Sequence, residues 1–346
     1  MSGRITLSKE EIKALSKELF MLAGVPEEQA DMTAESLADA EERGVETHGM
    51  RWMDIYLKRI QAGGVAAETK LEIIKDKGPV LIVDANHGLG QVATTMAIDM
   101  GIERAKKNGL CAVAIRNSNH FGAAGYYAER AANQGMICYI CTNADALMAP
   151  WGGLDNVVGT SPLCYGFPTK TKPIIFDMAV SAIAKGKIFV AAREGKPIPP
   201  GCALNKYGEP TTDAKEALDG GYMLPAAGHK GFGLALVNDI LAGIMTGSQF
   251  GTNITKLYGD LDKHQDIGHF AYLVNIEDFI PEEEYYDKIE FDMQKIKSSR
   301  LAKGFDRIYL PGEPEHETRA KRRAEGIPMS KEVWDEMLAW KEKLQK

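Results

Sequence analysis

The feature that most constrains this chain is a change of rhythm near residue 71. Before it, apolar residues recur at helical spacing between strong helix-ending signals. Residues 7–24 open on a capping box, Ser8 with Glu11, and stop at a Gly. Residues 26–44 start on Pro and end on Gly. Residues 48–63 carry Ile55, Tyr56 and Ile60 among charged residues and end in Gly-Gly. After residue 71, strands and helices alternate. KLEIIKD and VLIVDA read as short strands. Residues 91–108 predict a helix, 111–116 a strand, 123–133 a helix and 136–142 a strand. Further strands are predicted at 173–177, 270–275 and 307–310, and further helices at 230–246, 285–299 and 331–345. Alternation of this kind argues for a layered α/β fold with a sheet at its centre. The C-terminal helices fold most simply onto the N-terminal ones. That gives a discontinuous, mainly helical domain, residues 1–75 with 234–346, and an α/β domain of residues 76–233.

Length and charge narrow the function classes. A chain of 346 residues suggests two domains and a large core. Its net charge of −7, with no basic stripe, makes it a poor nucleic-acid binder. No apolar stretch approaches the ~18 residues of a membrane span. The start, MSGRITLSKEEIK, lacks the apolar centre of a signal peptide. Cys138 and Cys141 form a C-x-x-C in the apolar run MICYICT, but no second Cys/His pair stands at ligand spacing. They are expected to be buried thiols, with no metal, in a cytoplasmic enzyme.

Gly88-Leu-Gly90-Gln-Val-Ala93 fits G-x-G-x-x-A after the run LIVDA. A Rossmann phosphate loop needs its glycines at the strand end and an acid closing the next strand, about 20 residues on. Here Asp84, Ala85, Asn86 and His87 intervene, and the next strand ends in Arg116 and Asn117. The stretch is expected to be a closely packed helix start, with any nucleotide bound elsewhere.

Of the seven His, three stand in Gly-containing turns beside element ends: His48, His120 and His229. Function concentrates in such turns. His264, His269 and His316 stand among charged or loop residues and are expected to face solvent. His120 precedes a predicted helix, whose dipole disfavours imidazolium there. A neutral imidazole is a competent general base, or it simply caps that helix. Oxidising a small hydroxy acid needs such a base, partners for a carboxylate and a hydride acceptor in a dry site. Arg51, His48 and Lys230 are candidate anion partners. Asp177 could accept ribose hydroxyls, orient a neighbour or cap the helix that follows it.

At these residues the chain resembles the malate/L-lactate dehydrogenase family, unrelated to the Rossmann malate and lactate dehydrogenases. The resemblance rests on ETHGMRWMDIYLKRIQAGG, GQVATTMAIDMGIERAKKNG, RNSNHFGAAGYYAERAANQGMI, APWGGLDNVVGTSPLCYGFPT, IIFDMAVSAIAKGKI and GHKGFGLALVNDILAGIMTG, and continues through KSSRLAKGFDRIYLPGE. It implies a non-Rossmann nicotinamide-binding fold with a mixed sheet between helices, and a homodimer. It also implies hydride transfer between NAD or NADP, NAD being the first choice, and the α-carbon of a 2-hydroxy/2-keto acid. The family's general base falls on His120, its second active-site His on His48 and its substrate-side Tyr on Tyr56. Its cofactor positions fall on Ala144, Asp145, Asp177, Met178, Ala179, Lys230 and Gly231, and on the loop at residues 299–303. Gly159-Thr160-Ser161-Pro162 stands for the family's GTNP turn. One position departs: four residues after the T-H-G His the family places an Arg, and this chain has Trp52, with Arg51 one residue early. Either the turn is re-registered or the substrate carboxylate is held differently. Alternatives on the same fold are a reductase of a cyclic imino acid and a non-catalytic binding protein.

Overall fold

The computed structural model describes residues 3–346. The N-terminal part comprises β1 (Arg4–Leu7), α1 (Lys9–Leu22), α2 (Glu27–Glu42) and α3 (Met53–Ala62). The central part follows with β2 (Glu72–Asp76), β3 (Val80–Asp84), α4 (Gly90–Asn108), β4 (Leu110–Ser118), α5 (Ala124–Ala132), β5 (Met136–Thr142), β6 (Leu163–Phe167) and β7 (Ile174–Met178). Next are α6 (Lys185–Glu194), β8 (Ala203–Leu204), β9 (Pro210–Thr211), α7 (Ala214–Leu218), β10 (Tyr222–Met223) and α8 (His229–Asp239). The chain closes with β11 (Ile267–Asn275), α9 (Glu282–Lys297), α10 (Glu313–Glu325), β12 (Ile327–Ser330) and α11 (Lys331–Leu344).

Seven strands form one sheet in the order β2-β3-β4-β11-β5-β6-β7. Only β3 and β4 run parallel; every other pair is antiparallel. This is a mixed sheet, not a doubly wound parallel one. Its edge strand β2 is fully exposed and charged, which discourages pairing with another chain. Helices α4 and α5 cover one face through Ala93, Ala97, Ile98, Tyr127, Ala128 and Ala131. Gly101 lets α4 approach the sheet, since a Cβ there would come within 2.6 Å of Val113. The other face packs under β8–β10, α6 and α8 through Met148, Val158, Ile188, Met223 and Ala235.

A third core joins α1, α2 and α3 to β12 and α11 through Phe20, Leu37, Met53, Ile327, Met337 and Trp340. Strand β1 pairs with β12, so the chain ends meet. The segment 234–346 does not follow the N-terminal helices as one piece. Its strand β11 is the middle strand of the sheet, because its alternating buried face fits between β4 and β5. The stretch 307–310 is not a strand. Ile175 of β7 donates its N–H to Pro311, which has no N–H to return.

All five cysteines are free and buried, Cys138 and Cys141 within β5. Two of the three histidines expected in solvent are not there. His269 is fully buried in β11, held by Thr142 at 2.8 Å and Ser118 at 2.9 Å. His316 is buried in α10 and reaches the Pro173 carbonyl at 2.9 Å. Among the described residues no helix is long and apolar enough to cross a membrane, and no three His, Cys, Asp or Glu are grouped as metal ligands.

Candidate active site

The helix predicted from residue 48 starts later, because Gly49 breaks it. Two 3₁₀ turns, Glu46–His48 and Met50–Trp52, precede α3. Arg51 and Trp52 therefore sit on a turn of about three residues per revolution, not on the α-helix face that carries Tyr56. The Trp52 indole N–H donates to the Thr47 carbonyl, so its ring offers the cleft only an apolar face. That ring stacks on His120, centroids 4.6 Å apart, and leans on Tyr258 at 5.7 Å. Arg51 is exposed beside them.

His120 arrives from the opposite side. Strand β4 delivers Asn117 in a left-handed conformation, φ 51°, and the chain turns through His120 into α5. His120 does not cap that helix: the N-cap is Ala123, without a side-chain bond. Instead its Nδ1 meets the Tyr56 hydroxyl at 2.5 Å, and the His48 ring lies nearly parallel at 5.9 Å. The imidazole is held neutral, as expected, but chiefly for another reason than the helix dipole. Loss of hydration, then the neighbouring His48 and His269, pushes it down to about 3. Loss of hydration lowers His48 to about 4. The same effect raises the Tyr56 phenol well above its usual range, so it stays protonated.

Gly88 and Gly90 do not form a phosphate loop. A Cβ on Gly90 would stand 2.2 Å from the Asn119 carbonyl and 2.6 Å from that of His120. The helix start is filled by the backbone that carries His120. Gly90→Ala is expected to cost about 1–3 kcal/mol of stability through overpacking and to lower kcat by moving that backbone. Binding of a nicotinamide cofactor should be untouched. Thermal melts and cofactor titration check this; a stably folded variant with a large rise in cofactor Kd would restore the phosphate-loop reading.

The expected cofactor positions form a second group. Ala144 and Asp145 follow β5, Asp177 and Met178 end β7, and Lys230 and Gly231 open α8. Backbone bonds from Val180 to Thr160, Ala226 to Val180 and Ala182 to Leu224 tie the segments around 160, 180 and 225 into one strip. Gly231 is buried against the Ala226 carbonyl, so it serves close packing. Asp177 does not cap the following helix, which starts only at Lys185. Its Oδ2 accepts from the Gly125 N–H at 2.7 Å, at the start of α5. Ala179 and Lys230 are exposed on the strip. Residues 299–303 lie exposed beyond the end of α9.

Two observations test the strip for a dinucleotide. The Ser161 and Ser181 hydroxyls are sealed within it without a hydrogen-bond partner. Lys185 and Lys230 are exposed with no ion-pair partner among the described residues. Unused hydroxyls and unpaired cations fit the phosphates and hydroxyls of a dinucleotide. The strip and the His120 group adjoin: Thr142, two residues before Ala144, bonds His269 at 2.8 Å, and His269 stacks at 4.5 Å on Phe121, the residue after His120.

The structure thus gathers His48, Trp52, Tyr56 and His120, with Arg51 at the edge. His229 stays outside that group, exposed at the start of α8. Sequence reasoning missed Tyr258, Gln265 and Gln91. Gln265 accepts the His120 amide at 3.4 Å. Gln91 is wholly buried, both amide atoms unpartnered, and its amide favours ionisation of the adjacent Tyr56 hydroxyl. Only Gln91 lay in a stretch already singled out; no spacing rule marks the other two.

A neutral imidazole among aromatic rings beside a cation-lined strip is the equipment of an oxidoreductase, and the sheet puts it outside the Rossmann class. The sequence profile described as Malate/L-lactate dehydrogenase matches residues 7–338. Malate dehydrogenase of Pyrococcus horikoshii is 39% identical over 340 residues, 96% of this chain and 94% of that one. The structure of sulfolactate dehydrogenase from Methanocaldococcus jannaschii superposes with a TM-score of 0.93 at 36% identity, covering 99% of this chain and 98% of the other. Ureidoglycolate dehydrogenase (NAD(+)) of Escherichia coli is 32% identical, over 96% of this chain and 95% of its own. The chain belongs to the malate/L-lactate dehydrogenase family. It is an NAD(P)-dependent oxidoreductase of small 2-hydroxy acids.

Proposed function

We propose that the chain interconverts a 2-hydroxy acid and its 2-keto acid with a flat or uncharged side group, His120 being the group that takes the hydroxyl proton. The Tyr56–His120 contact carries this reading, since it commits Nδ1 and leaves Nε2 for the substrate. For Nε2 to accept a proton, Nδ1 must carry the other; the Tyr56 oxygen at 2.5 Å is placed to receive it, and this short contact outweighs the long 3.4 Å approach of the Gly122 N–H to the same nitrogen. Tyr56, expected on the substrate side, thus acts by orienting His120. Arg51 attracts the carboxylate and the neutral His48 ring positions it through an N–H, while Trp52 and Tyr258 wall off the side group. When bound, the nicotinamide accepts or returns the hydride. Ala144, Asp145, Met178, Ala179 and Lys230 are placed to hold the dinucleotide, while Asp177 ties β7 to the start of α5 and Gly231 keeps α8 packed behind them. The Asp145 carboxylate on that strip disfavours a further 2′-phosphate, which makes NAD the first choice over NADP. The site lies between the two expected domains, residues 1–75 supplying His48 and Tyr56 and residues 76–233 supplying His120 and the strip.

Oxidation of NADH and NADPH against oxaloacetate, pyruvate, sulfopyruvate, oxalurate and cyclic imines tests this. Turnover of a monocarboxylic keto acid above oxaloacetate supports it. Reduction of cyclic imines alone would replace it with the imino-acid reading, and no turnover of any arm would favour a binding protein.

The chain is also proposed to pair with a second copy of itself. Leu236, Val237, Ile240, Ile244 and Met245 on α8 and the turn after it are all at least 42% exposed. With Phe176 of β7 they make an apolar surface larger than scattered exposure explains. Ile244→Asp is expected to shift a dimer to monomer in analytical ultracentrifugation. A monomeric wild type at micromolar concentration would refute the pairing.

A further inference from the structure

Glu41, near the end of α2, takes no part in the chemistry derived above, yet it lies directly beneath the turn that carries half of it. It is 3% exposed, and its Oε1 accepts the Met50 N–H at 2.8 Å. Its side chain lies flush against Gly49, where a Cβ would stand 2.1 Å from Oε1 and 2.5 Å from the carboxyl carbon. Gly49 and Met50 are the links between His48 and the Arg51-Trp52 pair. Behind it, Arg322 of α10 donates to the Glu41 carbonyl at 2.5 Å and to the Glu46 carboxylate at 2.8 Å. The turn is therefore tied to α2 at one buried carboxylate, and to α10 through Arg322, which grips the Glu46 carboxylate and the Glu41 backbone carbonyl.

We propose that Glu41 is a positioning residue, whose carboxylate fixes the turn of His48, Arg51 and Trp52 against His120 and whose charge modulates the pull of Arg51 on the substrate acid. This rests on the reading of that turn and His120 as the active site. The charged groups facing Glu41 are Glu46 and Arg51 on the turn and Arg322 on α10. Burial raises its carboxyl to about 7, Glu46 adds to this, and the Met50 N–H and the two arginines oppose it. As pH rises through 7, a negative charge appears beneath Arg51. That charge strengthens the Met50 bond and partly offsets the cation that draws an anionic substrate.

The test is the pH dependence of kcat and KM between pH 5.5 and 8.5 for wild type, Glu41→Gln, Glu41→Ala and His120→Asn holoenzymes. In wild type, KM for the acid should rise with pH on the order of threefold across a limb near neutrality, the effect of one unit charge through a hydrated path. Glu41→Gln keeps an acceptor for Met50 but never ionises, so its KM should stay at the low-pH value throughout. Glu41→Ala leaves the Met50 N–H unpaired and should lose kcat by roughly 10–100-fold through misplacement of the turn. A merely structural residue would lower stability without removing the limb. A wild-type KM without the limb, or the same limb in Glu41→Gln, overturns the proposal even if Glu41→Ala does not fold. If His120→Asn stays active, the site reading falls first. An inactive His120→Asn beside an unchanged Glu41→Gln profile sinks only the role of Glu41.

Discussion

Replacing His120 by Asn is expected to leave the fold intact and to lower kcat by about 10²–10⁴-fold, the usual effect of removing a general base. The shorter amide can still reach the Tyr56 hydroxyl, so local packing survives, but nothing remains where Nε2 stood. Hydride-transfer rates under single turnover, with a melting curve as the folding control, measure this. A folded variant that keeps wild-type turnover sinks the assignment.

The pH profile sharpens that prediction. A free histidine would lose its basic form below about 6.5. His120 is pushed down to about 3, so it stays neutral from pH 5 to 8 and contributes no limb there. The acid limb expected of an ordinary histidine therefore moves below pH 5. Stability follows with a defined sign. His48, His120 and His269 all have depressed values in the folded state, about 4, 3 and 3. Their unfolded forms bind protons first as pH falls. The stability they contribute is complete above about 6.5 and drains away between there and pH 3. Chemical denaturation at a series of pH values should show that loss, and it should diminish in His120→Asn.

The legible part of this chain was the part written in apolar periodicity. Helices α1, α2, α4, α5 and α11 and strands β3, β4 and β5 carry caps, glycine stops or β-branched runs that hold at short range. Helix α10 has Pro at its start and Gly at its end but no apolar periodicity, for a physical reason. Its sequence, EPEHETRAKRRAE, buries only His316. It is held by ions: Arg319 bonds Glu129 at 2.6 Å and Asp39 at 2.7 Å, and Arg323 bonds Glu42 at 2.7 Å. All three acids are buried, on α2 and α5, and Arg43 joins the same group through Asp39 at 2.9 Å. No window along the sequence shows partners some 190–280 residues away. Strand β6 was missed because LCYGF spends a Gly where Ala128 of α5 presses on the sheet. In the site, His48, Tyr56 and His120 were visible by motif. Tyr258 and Gln265 were not, because a loop folded from residues beyond 250 brings them there.

Trp52→Arg is expected to raise kcat/KM for malate by roughly tenfold or more, at about 1.4 kcal/mol per decade. Malate needs a partner for its second carboxylate, and a bidentate guanidinium contact is worth about 1.5–3 kcal/mol. Trp52 supplies none: its N–H is committed to Thr47, and only its ring faces His120 and Tyr258. Wild type should accordingly turn malate over poorly. The competing account gives Trp52 a packing role, with Arg51 alone gripping the acid. Trp52 does touch the N-terminal core, so both accounts have contacts behind them. Their consequences differ. If packing dominates, Trp52→Arg lowers Tm without gaining malate activity, and Arg51→Ala abolishes acid binding. If the ring selects the side group, Trp52→Arg holds most of its Tm and gains malate, while Arg51→Ala raises KM for every acid alike. The 3₁₀ turn favours the second account, because it sends Arg51 to the rim and Trp52 onto the base. Robust malate turnover by wild type together with a silent Arg51→Ala would defeat both.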